Sequence, residues 1–202
     1  MKWNRYLFNG IWHVHTNYTD GENSISEYCD VATEIGAKLI CFTEHVALDL
    51  SYNFNNYLSC INKARSKYGI IILGGVEVKI LGDHLNAEKN VLEKADIIFG
   101  AIHGDIESTK EYLRKVEQLL KHDIDVWAHP TLPLKINNLK IDKKEIDRTV
   151  SLLKKKGITV EINVKYNVPD AYFISRCLKE NVPCLIGLDA HSVEEVIRYW
   201  RG

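Results

Sequence analysis

The 202-residue chain has almost no net charge, with 26 lysines and arginines against 27 aspartates and glutamates. Without a basic excess there is no overall field to draw it to a nucleic acid or an anionic membrane. No apolar run approaches a bilayer span, and the N-terminus lacks the charged, apolar and small-residue order of a signal peptide. These absences lead to the expectation of a cytoplasmic protein with neither nucleic acid nor membrane as partner. There is no C-x-x-C pair. The five cysteines (Cys29, Cys41, Cys60, Cys177 and Cys184) are odd in number and widely spaced, as expected of reduced, mostly buried thiols. Low-complexity tracts, long linkers and composition breaks are also missing, so one domain is expected over residues 1–202. Hydrophobic content of 46% is enough for a substantial core.

Histidine, by contrast, is plentiful, with eight copies. "GIWHVHTNYTDGEN" carries His13 and His15 two apart, followed by Asp20 and Gly21. Residues i and i+2 of a strand share a face, so a strand over 11–15 would aim both imidazoles at one spot. On this stretch alone a metal pair, or one core histidine beside an exposed one, fits equally well.

Further along, apolar β-branched runs alternate with amphipathic stretches. "GIWHV" precedes a helix starting at Ser24, where Ser24 and Glu27 form an S-x-x-E capping box. "AKLICFT" precedes a helix over 54–67, "GIIILGGVEV" one over Ala87 to Lys94, and "DIIFGAI" one over Ser108 to Lys121. "DIDVWA" precedes a helix over 142–155, "ITVEINV" one over Pro169 to Glu180, and "PCLIGL" one over Val193 to Arg201. Seven β-then-α units with apolar strands predict a parallel sheet covered by helices.

Such a series can stay open or close into a barrel, and the polar residues favour a barrel. In (β/α) barrels the chemistry gathers at the C-terminal strand ends. Here His13 and His15 close the first strand, His45 the second, Glu77 the third, His103 the fourth and His129 the fifth, while Asp189 and His191 follow the seventh. Only the sixth unit has no such residue at its end. Scattered core histidines have no cause to recur at one topological position.

In this order the residues resemble the PHP superfamily, named for polymerases and histidinol phosphatases. The resemblance runs from His13 to His191: H-x-H, the Asp20 turn, "TEH" with His45, Glu77, "HGD" with His103, "AHP" with His129, and "DAHS" with Asp189 and His191. It implies a distorted (β/α)7 barrel of TIM-like form holding two or three divalent ions, zinc, manganese or iron. His13, His15, Glu77 and Asp189 would hold the first ion. Glu77, His103 and His129 would hold the second, with Glu77 bridging, and Asp20, His45 and His191 the third. The implied activity is hydrolysis of a small phosphorylated metabolite by a metal-bound hydroxide. The alternatives are a nuclease or phosphodiesterase like the PHP modules of DNA polymerases, or a non-catalytic module. The ligand types agree, since mixed imidazole and carboxylate sites suit zinc, iron(II) or manganese(II). No serine or cysteine has the neighbours of a covalent nucleophile.

Glu44 stands where the family more often has aspartate, and is expected to brace a ligand from behind. Glu161, Asn163 and Lys165 alternate along the sixth predicted strand and should share a face. Asn163 and Lys165 stand where the family's sixth strand approaches the substrate, and Lys165 is the best candidate for a phosphate contact. His84 in "ILGDHL" is a further candidate substrate contact, and His122 is expected at a surface helix end.

Overall fold

The computed structural model describes residues 3–200. Its strands are β1 (Ile11–Val14), β2 (Leu39–Val46), β3 (Ile71–Leu81), β4 (His84–Leu85), β5 (Ile98–Ala101), β6 (Val126–Trp127), β7 (Thr159–Asn163) and β8 (Cys184–Ala190). Between and after them lie α1 (Ile25–Glu34), α2 (Phe54–Lys67), α3 (Lys89–Lys94) and α4 (Thr109–Leu119). Then follow α5 (Leu132–Ile136), α6 (Lys143–Lys156), α7 (Ala171–Lys179) and α8 (Val193–Tyr199). The expected end of the last helix at Arg201 lies outside the described residues.

The sheet runs β2-β1-β8-β7-β6-β5-β3, and β2 also pairs with β3, which closes a ring of seven parallel strands. The fold is therefore the expected (β/α)7 barrel. β4 is an addition, an antiparallel edge paired with the end of β3. Two elements depart from the sequence expectation. β3 continues past the "GGVEV" run to Leu81 and turns back into β4. The stretch after His129 forms α5, a one-turn helix with Pro133 near its start, where proline costs no hydrogen bond.

Local chemistry explains the helix starts. Ser24 accepts from the Glu27 N–H while Glu27 accepts from the Ser24 N–H, completing the predicted capping box. Asn53, Ser108, Asp142, Asp170 and Ser192 cap their helices by accepting from the N–H three residues on. Gly157 ends α6 at φ 69°, after Lys154, Lys155 and Lys156. Those lysines lie in the last turn of α6, where positive charge suits the helix dipole.

The core has two layers. Inside the barrel, Trp12, Leu39, Cys41, Leu73, Phe99, Val126 and Leu185 pack together, with Leu7 and the N-terminal turn beneath them. Trp12 fastens this floor by donating Nε1–H to the Tyr6 carbonyl at 2.8 Å. Two outer clusters lie between strands and helices. All five cysteines are free and four are buried, Cys60 being half-buried. No helix among the described residues is long and apolar enough to cross a membrane.

Candidate metal centre

His13 and His15 converge, with ring centroids 5.1 Å apart, but not by simple strand alternation. β1 ends at Val14, and its pairing with both neighbours shifts register around His13, whose φ is 64°. A bulge in the left-handed region re-aims the first imidazole toward the second. His129 (φ 29°) and Asp189 (φ 50°) also have positive φ. Strained backbone of this kind in non-glycine residues persists where the surroundings over-determine it, and it gathers at functional sites.

The turn after His15 places Asp20. Both Thr19 N–H and Gly21 N–H donate to the Thr16 carbonyl at 3.0 Å. A Cβ at Gly21 would overlap the His15 carbonyl and lie 2.8 Å from Thr16 Cα, so only glycine fits. Glu44, fully buried, braces this turn by accepting from Thr16 N–H at 3.0 Å and from Thr19 Oγ1 at 2.6 Å. Burial pushes its carboxyl up to about 7 against those hydrogen bonds.

The structure brings all nine sequence-predicted residues together. Glu77 is at the centre. Its Oε2 lies 3.4 Å from Nε2 of both His13 and His15, and Asp189 Oδ1 lies 3.5 Å from His15 Nε2 and 3.8 Å from His13 Nε2. Its Oε1 lies 2.7 Å from His129 Nε2 and 3.2 Å from His103 Nε2, and those two nitrogens are 3.3 Å apart. Asp20 Oδ2 lies 3.4 Å from Nε2 of both His45 and His191. His15 also reaches this third group, its Nδ1 being 3.9 Å from Asp20 Oδ1, an approach the sequence reading did not include. His45 Nδ1 links the third group to Glu77 Oε2 at 3.1 Å.

The arrangement fits divalent ions. His13 Nε2 and His15 Nε2, which face Glu77, and His15 Nδ1, which faces Asp20, are buried without a hydrogen-bond partner. Orphaned buried nitrogens are costly unless something else satisfies them. Donors on one ion at about 2.0–2.2 Å stand about 3.0–3.4 Å apart in octahedral or tetrahedral geometry. Most of the distances around Glu77 and Asp20 fall close to that range.

The electrostatics follow from the crowding. Burial pushes His15 well below the usual imidazole range. Burial also acts downward on His13, but Glu161, Asp189 and Glu77 together hold it well above. Glu77 is held well below the carboxylate range although burial opposes this, chiefly through His13 and the hydrogen bonds of His103 and His129.

Two clefts of about 320 Å³ and about 360 Å³ open over the cluster and share Asp20, His45, Glu77 and His103. The first has an apolar wall of Leu132, Pro133, Ile136 and Tyr166, mostly from α5, which sequence reasoning had left without structure. The second is lined by Ser51, Asp49, Lys79 and Asn86.

Of the three expected substrate contacts, Lys165 and Asn163 both meet Asp189, and His84 lies away from them. Lys165 is near the cluster, its Nζ donating to the Asp189 carbonyl and to Glu195 Oε2 at 3.1 Å and lying 3.3 Å from His191 Nδ1. Asn163 is fully buried, with Nδ2 at 3.5 Å from Asp189 Oδ2 and Oδ1 accepting from Tyr166 N–H. His84 lines neither cleft. It pairs opposite Leu81 on the hairpin, which the four residues of β3 beyond Glu77 carry about 13 Å along the strand. His122, at the end of α4, faces the Asp83 carbonyl at 3.0 Å. Glu161 fills the gap in the sequence pattern: the strand without a terminal ligand carries a buried carboxylate hydrogen-bonded to His13 Nδ1 at 2.6 Å.

The PHP domain family model matches residues 12–165. Over 198 residues the chain is 28% identical to the DNA polymerase/3'-5' exonuclease PolX of Bacillus subtilis, covering 92% of this chain and 34% of that protein. It thus spans about a third of that relative's length. A candidate histidinol phosphatase of Listeria monocytogenes superposes with a TM-score of 0.76 at 17% identity, covering 96% and 98% of the two chains. Histidinol phosphate phosphatase of Lactococcus lactis, solved with zinc, L-histidinol and phosphate, gives 0.69 at 20% identity over 92% and 88%.

Proposed function

The chain belongs to the PHP domain family, and on that premise we propose that it is a metal-dependent phosphoesterase that hydrolyses the phosphomonoester of a small metabolite in the cytoplasm. The observation that carries the reading is the set of buried, unpartnered imidazole nitrogens around Glu77 and Asp189. His13, His15, Glu77 and Asp189 would hold one ion, Glu77, His103 and His129 a second, and Asp20, His45 and His191 a third.

When bound, zinc, manganese or iron(II) supplies charge neutralisation on the phosphoryl oxygens and lowers the pKa of a coordinated water toward ~7. The chain's own residues do the rest. Glu77 ties two ligand groups through its two oxygens. Leu132, Pro133, Ile136 and Tyr166 give the organic part of a substrate an apolar wall, and Ile136 is 70% exposed and free to receive it. Lys165 adds positive charge beside His191. The zinc, L-histidinol and phosphate of the Lactococcus lactis protein support a phosphomonoester substrate.

A second reading, phosphodiester cleavage, is favoured by one observation. The two clefts share Asp20, His45, Glu77 and His103 and differ in their other walls, which would give each organic group of a diester a cleft of its own. The exonuclease relative belongs with that reading. Initial rates on small phosphomonoesters and on single-stranded oligonucleotides, across a salt series with manganese or zinc, separate the two. Faster monoester turnover with weak salt dependence is expected. Faster oligonucleotide cleavage that falls steeply with salt would favour the diesterase.

A further inference from the structure

Six strands of the barrel present apolar side chains to its interior, but β7 does not. Val160 and Ile162 face the outer cluster, so strand alternation turns Thr159, Glu161 and Asn163 inward, and all three are buried. A carboxylate with no exposed surface is retained only if fixed partners satisfy both its oxygens.

Glu161 has two such partners. Oε1 meets Nδ1 of His13 at 2.6 Å, and Oε2 accepts a short hydrogen bond from the backbone N–H of His129. Space for it is built into the neighbouring strand. A Cβ at Gly187, which pairs opposite Asn163, would collide with the Glu161 carboxylate and lie 2.7 Å from its Cγ. His13 and His129 both have positive φ and come from strands that do not pair with each other.

We propose that Glu161 is a positioning residue that locks two metal-ligand histidines at once: it turns the His13 ring so that Nε2 faces Glu77 and Asp189, and it pins the His129 backbone so that its ring reaches Glu77. The inference rests on the metal-centre reading above. Both contacts present N–H donors, so both oxygens of Glu161 must accept. An amide of the same shape has one acceptor and sets a donor against a donor on the other side. With Nδ1–H given to Glu161, neutral His13 keeps the Nε2 lone pair for an ion. A single side chain thereby couples the first ligand group to the second, independently of Glu77.

The test is zinc release from loaded protein into a series of buffered zinc concentrations, for wild type and Glu161→Gln, with a thermal melt to verify folding. The variant should lose the two ions around Glu77 at ~10- to 100-fold higher free zinc than wild type, the usual scale for a residue behind a ligand. The Asp20, His45 and His191 group should be unchanged. As a second measurement, independent of any variant, nitrogen NMR of histidine-labelled, cadmium-loaded wild type should show His13 coordinated through Nε2 with a proton held on Nδ1. Wild type that binds zinc, with a folded Glu161→Gln that binds it as tightly, overturns this inference and leaves the metal reading standing. Coordination of His13 through Nδ1 does the same. Wild type that binds no zinc overturns both.

Discussion

Oε1 of Glu77 stands 2.7 Å from Nε2 of His129, while the other oxygen of the same carboxylate faces His13 and His15. One buried side chain therefore serves two groups of imidazoles. Glu77→Gln keeps the shape but removes the charge that both groups share, so activity should be lost and metal content should fall by two ions per chain. Metal analysis with circular dichroism checks this. Near-native turnover at full metal content would show that Glu77 does not bridge.

The turn that carries Asp20 depends on a close approach at Gly21, where a Cβ would overlap the His15 carbonyl. Neither that carbonyl nor Thr16 Cα can move without disturbing His15. Gly21→Ala should destabilise the protein by about 1–3 kcal/mol in urea denaturation, the usual cost of overpacking. It should also weaken metal at Asp20, His45 and His191 more than around Glu77. A variant with native stability and native metal content would remove the turn from the account.

Lys165 is about one-fifth exposed, with its ammonium between Glu195 and the Asp189 carbonyl. If that charge also meets the substrate phosphate, Lys165→Met should raise KM for a phosphomonoester roughly 3- to 10-fold, the scale of a screened charge contact. The fall in kcat should be smaller. An unchanged KM would confine Lys165 to supporting Glu195 and the Asp189 backbone.

Much of this site is legible in the chain because strand ends are local features. His45, His103, His129 and His191 each follow an apolar run, and the barrel gathers such ends at one mouth whatever the register between strands. The bulge at His13 is not legible, since it depends on how β1 meets β2 and β8. Nor is the role of Glu161, whose partner His13 lies 148 residues away and whose space is made by Gly187. Alternation placed it on the same face as Asn163, but only tertiary structure shows what it holds. α5 is not legible because five residues that include Pro133 carry too little periodicity to register. The hairpin that takes His84 away from the site is hidden for a similar reason, β4 being only two residues long.

The central claim is that ions held by these imidazoles and carboxylates are required for phosphoester hydrolysis. The most direct measurement is the initial rate on a phosphomonoester panel for protein stripped with a chelator, verified metal-free, and then resupplied with zinc, manganese or iron(II). Hydrolysis should disappear on stripping and return with added metal, and Glu77→Gln should not recover. Stripped, folded protein that turns over as fast as the loaded form, or loaded protein that hydrolyses no monoester or diester, would contradict the account.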